Sequence, residues 1–312
     1  MTRSVWIAKG ALAITDQAIF SGSGFLLSLL LARWLTPVQY GAYALSFAVF
    51  LFASSFHNAL ILEPMGVIGA ASYGERLPAY IAKLLRMHSV VASALWALAI
   101  AGAGAVFLIS KNATLAAALC GAGFAIPCVL LSWLLRQSAY LDRRPALAVR
   151  GGSVYAVTLL GCVFLERSWG WLNPFSAFLA QAAAGALAGS YLIALLRPDF
   201  QPTPTVQMRT VLAEHWQYGR WVIVTAFVYW LSAQGYYFIA AGELGIVDVA
   251  NIRALQNFFL PFLQFLTSLT LLVMPWASSR FAAGEKEAFQ KVIGTMSLLF
   301  TAGGILYLIA VS

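Results

Sequence analysis

Asp16 is the one acidic residue well inside an apolar run of this chain, the stretch Ala11–Ala32. A carboxylate in hydrocarbon is costly. It is kept where it faces a cavity or a partner, and it often marks a transport pathway. Asp16 is therefore the candidate ion-coupling group, able to take up and release a proton during a cycle. The plainer alternative is an acid in the first turns of its helix, facing water and favoured by the helix dipole. Arg33 closes the same run. Its guanidinium suits bidentate binding of a phosphate or pyrophosphate, or a snorkelling anchor beside Trp34. His57 and Asn58 lie near the end of the next run and could line a cavity, or bond to a neighbouring helix. Further on, Trp230 and Gln234 share a run with Ser232, Tyr236 and Tyr237, and Gln256 and Asn257 share one with Asn251 and Gln264. Amides and flat aromatic faces are what a sugar site needs. Arg33, His57, Asn58, Trp230, Gln234, Gln256 and Asn257 are the candidate substrate-binding residues.

Several chemistries are not expected. Cys120, Cys128 and Cys162 all sit in apolar runs, where cysteine acts as a small hydrophobe. No His/Cys/carboxylate cluster has metal-ligand spacing, and no glycine-rich phosphate loop is present. Neither a metal, a cofactor nor an enzymatic activity is expected. The formal charge of +8 comes from basic residues in short loops, which reads as membrane topology and not as a nucleic-acid surface. The loop residues Arg136, Arg143, Arg144 and Arg150 suit anionic lipid headgroups, or a docking point for a pyrophosphate.

Positioning such residues falls to membrane spans. Of 312 residues, 61% are hydrophobic and 10% charged, and the mean hydropathy is +0.82. Roughly 20 apolar residues at about 1.5 Å each cross the hydrocarbon core. The apolar runs predict about nine spans, near Ala11–Ala32, Tyr40–Leu62, His88–Ser110, Thr114–Leu135, Gly152–Leu165, Pro174–Leu196, Trp221–Ala241, Ile252–Met274 and Val292–Val311. The first reads as a span and not as a cleaved leader. The fifth is short, and its Gly151-Gly152 start points to close packing or a bend. Ser21-Gly22-Ser23-Gly24 in the first span points to close helix packing. The expected fold is an all-α polytopic bundle, with a six-helix lobe over residues 1–200 and a partial lobe of three helices over 201–312.

Of 19 basic residues, only Arg33, Lys111, Arg167 and Arg253 fall on one side of this arrangement. The positive-inside rule then places the N-terminus in the cytoplasm and the C-terminus outside. Residues 11–65 also lie over 220–274 at an offset of 209. Leu35 meets Leu244, Val38 meets Val247, Phe50 meets Phe259 and Leu60 meets Leu269, and Pro64 and Pro275 follow near the inner ends. Such parallel repeats are a common transporter design.

The run Ser21–Phe25 through Ala32-Arg33-Trp34-Leu35-Thr36-Pro37, then Tyr40-Gly41-Ala42-Tyr43-Ala44, resembles the opening of polysaccharide (O-antigen type) flippases. These belong to the multidrug/oligosaccharidyl-lipid/polysaccharide transporter superfamily. Asn58–Met65 resembles a subgroup, and Leu244–Ala250 resembles the turn that opens the second lobe. Thr36 stands where the family usually has glycine. The resemblance implies two six-helix lobes about a central cavity, alternating access, and an inner-membrane location. Its implied substrate is an undecaprenyl-pyrophosphate-linked oligosaccharide, with membrane lipids and other polysaccharide assembly proteins as partners. A drug–cation antiporter of the same superfamily and a non-transporting assembly scaffold are the alternatives. A full second lobe would need three more helices than the chain supplies, so a truncated product or a completing partner is expected.

The topology can be checked by labelling in intact cells. A membrane-impermeant thiol reagent is expected to reach Lys111→Cys but not Arg143→Cys, in a background with the three native cysteines replaced. The reverse pattern would invert the orientation.

Overall fold

Thr36 shows how local chemistry sets the first hairpin. Helix α1 (Arg3–Trp34) ends at Trp34, and α2 (Pro37–His57) starts after two intervening residues. The Thr36 hydroxyl accepts from the Gln39 backbone N–H, and the Gln39 side chain accepts from the Thr36 N–H, at 3.3 and 3.1 Å. This reciprocal cap satisfies two donors that a helix start leaves orphaned, and Pro37 has no donor to lose. Thr36 is thus the N-cap of α2. Asn173 with Ser176 repeats this reciprocal cap, and Asn112 caps the helix Ala113–Leu141 by accepting from the Leu115 N–H alone.

Pro64 explains the next feature. A proline has no N–H and its ring clashes with the carbonyl four residues back, here that of Leu60. The chain answers with a π turn over Asn58–Leu62 between α2 and α3 (Glu63–Ser72), in which the Glu63 N–H reaches back to the Asn58 carbonyl. Such turns are rare and occur often at functional sites.

The computed structural model describes residues 3–201 and 206–259, with 290, 294, 297–298 and 300–305. After a short 3-10 turn come α4 (Leu77–Ser110), α5 (Ala113–Leu141), α6 (Pro145–Ser168), α7 (Pro174–Leu196) and α8 (Met208–Glu243). A further helix starts after Gly245 and continues through residue 259. There is no strand among the described residues. Among the described residues seven helices are long and apolar enough to cross a membrane, and the chain is an all-α polytopic membrane bundle. The eighth predicted span enters the described region only over residues 252–259. The ninth lies almost wholly outside the described residues.

The chain separates into two compact units, residues 1–251 and 252–312. Helix α8, read from the sequence as the opening of the second lobe, packs within the first unit on α2, the π turn and α3. Helix α5 is the hub of that unit and packs on α2, α4, α6 and α7. Its closest approach is to α7 through Gly185 and Gly189, a small-xxx-small pair. A Cβ on Gly185 would stand 2.6 Å from the Cys128 carbonyl carbon and oxygen. Lipid gives no hydrophobic drive for helix association, so close backbone approach and van der Waals contact do this work.

Two expectations change. The fifth span is not short: α6 runs 24 residues. Gly151 and Gly152 lie inside it and serve close packing, against Leu192 and the Asp16 carboxylate, at 2.6 and 2.8 Å from an added Cβ. A Cβ on Gly22 or Gly24, by contrast, would meet nothing within 4 Å. Neither glycine serves close packing among the described residues, because their face of α1 is open there.

Gly185→Ala is expected to lower thermal stability in detergent by about 1–3 kcal/mol, the usual cost of overpacking, because the α7 and α5 backbones must part. Gly161→Ala, with nothing within 4 Å, is expected to leave the melting temperature unchanged or raise it. Equal losses for both would remove the packing argument.

Candidate functional site

Asp16 lies between three and four turns into α1, 1% exposed. Helix α5 continues past the predicted end of its span, so Arg136 is not a loop residue but a buried one, 9% exposed. Its Nη2 donates to Asp16 Oδ2 at 2.7 Å and its Nε to Oδ1 at 3.2 Å. The Tyr140 hydroxyl, one turn further along α5, donates to Oδ2 at 2.7 Å. The guanidinium carbon sits 3.9 Å from the centre of the Phe20 ring, and Phe20 packs on Tyr155 of α6. Gly152 is required on α6 because the carboxylate occupies the place of a side chain there. Asp16 is thus a protein-facing acid, not a water-facing one. Its carboxylate accepts three hydrogen bonds, and the fork geometry pairs both oxygens. The docking loop read from the sequence keeps only Arg143 and Arg144: Arg136 lies in α5, and Arg150 stands exposed in the second turn of α6.

His57 is fully buried at the end of α2, and its Nε2 lies 3.0 Å from Nδ1 of His88 on α4. One ring donates and the other accepts. The remaining nitrogen, His57 Nδ1, has no partner among the described residues. Asn58 opens the π turn and reaches the Glu63 carboxylate at 3.5 Å.

The carbonyl that Pro64 releases is taken by α8. His215 Nδ1 donates to the Leu60 carbonyl at 2.9 Å, and its Nε2 accepts from the Tyr80 hydroxyl of α4 at 2.7 Å. Both roles of the imidazole are used and its tautomer is set. One turn later on α8, a Cβ on Gly219 would stand 2.6 Å from the Ala59 carbonyl oxygen. Beside them the Tyr73 hydroxyl donates to Glu214 at 2.7 Å. Burial, then that bond, pushes the Tyr73 hydroxyl up to about 12, so it stays a neutral donor at any physiological pH. Further along α8, Trp230 Nε1 donates to the Ala48 carbonyl at 2.9 Å and its ring packs on Phe52. Gln234, one turn on, keeps a buried Oε1 with no partner among the described residues.

The structure brings Trp230 to α2 and leaves Arg33 exposed at the end of α1. It is Arg167 of α6, not Arg33, that lies over the Trp34 ring, at 5.9 Å. Gln256 and Asn257 fall on the helix after Gly245, in the second unit. Gln264 lies outside the described residues. The sequence reading placed Arg136 in a loop and missed Tyr140, His88, His215, Tyr80 and Glu214 as site residues. Pro64 was the available signal for a freed carbonyl, but nothing local names a partner 155 residues away.

One more contact bears on the motifs. A Cβ on Gly41 would run into the Ile246 carbonyl, so the turn after α8 sits directly on the glycine of Tyr40-Gly41-Ala42. Compared with protein-family models, curated proteins and solved structures, the chain matches none of them.

Removing either partner of a buried pair strands a charge. Asp16→Leu or Arg136→Met alone is expected to cost about 3–5 kcal/mol of stability, and the double variant less than the sum. Reversible unfolding in detergent micelles measures the cycle. Additive losses would show that the pair does not hold α1 against α5.

Proposed function

We propose that this chain moves lipid-linked oligosaccharide, carried on undecaprenyl pyrophosphate, across the cytoplasmic membrane by alternating access. The observation that carries the reading is the buried Asp16–Arg136–Tyr140 cluster in an otherwise apolar bundle. An intramembrane ion pair is costly and marks a functional site by default, and it is difficult to account for in a passive scaffold. The substrate class rests on the resemblance of Ser21–Ala44 and Leu244–Ala250 to polysaccharide flippases. The contact of Gly41 with Ile246 supports it, because it joins the two stretches that carry the resemblance.

In this reading Asp16 is the coupling acid. A proton arriving on its carboxylate removes the negative charge that Arg136 answers and leaves the guanidinium to find another partner. Helices α1 and α5 then have two arrangements, one for each protonation state, which is the bistable element a cycle requires. Trp230 and Gln234 offer an aromatic face and a free amide oxygen to sugar, with Asn58 as a further polar group. Arg33 on one side and Arg143, Arg144 and Arg150 on the other receive the pyrophosphate.

Deleting the gene is expected to strand lipid-linked glycan on the inner leaflet, as read by impermeant periodate or lectin labelling of extracted and intact membranes. Supplying Asp16→Asn is expected to leave it stranded, with the variant inserted at normal levels. An unchanged leaflet distribution in the deletion strain would sink the reading. Normal export by Asp16→Asn would remove Asp16 from the coupling role.

A further inference from the structure

Helices α4 and α7 both pack on α5 and leave a crevice of about 480 Å³ between them. It is distinct from the Asp16 cluster and from the contacts of α8, and it shares with the site above only His88, which lines it. Its walls are built from small and hydroxyl-bearing residues at helical spacing. Helix α4 supplies Arg86, Ser89 and Ser93, at i, i+3 and i+7, with Ala92 at the floor. Helix α7 supplies Ala186 and Ser190, one turn apart, and then Ile193. Pro127 and Cys128 of α5 form the back. Larger side chains at Ala92, Ala186 or the serines would close it.

The two ends of the crevice differ in chemistry. Towards the Leu77 end of α4 stands Arg86, exposed, with Nη2 donating to the Phe200 carbonyl at 3.3 Å. That bond braces the guanidinium at the mouth and uses one of its five N–H donors. Helix α7 ends on the same side at Arg197. From Arg86 the crevice runs about 10 Å along α4 to Ser93, seven residues at ~1.5 Å each. Apolar side chains flank it, Val90 and Leu187 being 71% and 55% exposed. In a membrane helix bundle such side chains meet lipid.

We propose that this crevice is a binding site for an anionic glycerophospholipid. The phosphodiester sits at Arg86, the glycerol and ester oxygens accept from the Ser93 and Ser190 hydroxyls (the Ser89 hydroxyl already donates to the Leu85 carbonyl at 2.9 Å), and an acyl chain fills the apolar remainder. The charge selects the headgroup, since an anionic phosphate gains from a braced guanidinium. The hydroxyls select the glycerol region, where hydrogen-bond acceptors give way to hydrocarbon. The occupant is a lipid of the surrounding bilayer, so the site does not depend on the transport reading.

The test uses the full chain purified in detergent, with phosphatidylglycerol or phosphatidylcholine added at matched levels and retained lipid counted by native mass spectrometry. The wild-type chain is expected to retain one phosphatidylglycerol in preference to phosphatidylcholine. Arg86→Gln is expected to weaken phosphatidylglycerol retention about fivefold, the contribution of one cation near an anionic headgroup, and to leave phosphatidylcholine unchanged. Ser190→Phe, which fills the crevice and keeps the charge, is expected to abolish the preferential retention. Ala186→Leu does the same if Ser190→Phe fails to fold. Arg209→Gln, an exposed arginine outside the lining, serves as control. Retention unchanged by crevice filling would show diffuse surface attraction and overturn the site. Retention unchanged by Arg86→Gln would overturn the anionic headgroup.

Discussion

The arrangement of the first unit depends on one ion pair that cannot reach water. Arg136 brings its guanidinium inside a bundle whose other inward groups are mostly apolar. Asp16 answers it through two hydrogen bonds, Tyr140 fills the remaining acceptor site, and Phe20 places its ring under the cation. Each partner comes from a position that its helix must hold. Asp16 and Phe20 lie one turn apart on α1, and Arg136 and Tyr140 lie one turn apart on α5. Gly152 of α6 admits the carboxylate. The three helices are therefore fixed in mutual rotation as well as in contact, which apolar packing alone would leave freer.

A second constraint works on the backbone. In a membrane each carbonyl without a donor is expensive. Pro64 creates one at Leu60, the π turn accommodates the ring, and His215 supplies the missing N–H. The strain of a proline in a long helix is thereby turned into a specific attachment for α8. Trp230 repeats the device higher up at the Ala48 carbonyl. Between these two points α8 has few buried residues. It is held to α2 by polar contacts and by Gly219 at the π turn, and less by a broad apolar interface.

Arg136 and His57 show where reading the chain stopped. Apolar runs located the cores of the first seven spans, because span length follows from bilayer thickness and needs no knowledge of neighbours. The helix ends did not follow. Arg136 reads as a loop residue since charge ordinarily ends a span, yet α5 continues because Asp16 pays its solvation. His57 reads as a cavity residue or as a partner for a neighbouring helix, and the structure shows the second, since His88 on α4 makes the two a buried pair. Thr36 was legible as a departure from a pattern, and only the Gln39 bonds show that it is a cap.

The sequence by itself determined the class: a multi-pass helical membrane protein, with its turns near Thr36, Lys111, Asp142 and Asn173. Composition, capping residues and proline are local, and the bilayer acts on them locally. Tertiary structure decided which polar groups meet. Asp16 and Arg136 stand 120 residues apart, Leu60 and His215 stand 155 apart, and Gly41 meets Ile246 across the whole unit. Those pairings depend on how each helix is rotated against the next. The rotation follows from burying every polar group at once, a condition that no single segment can state.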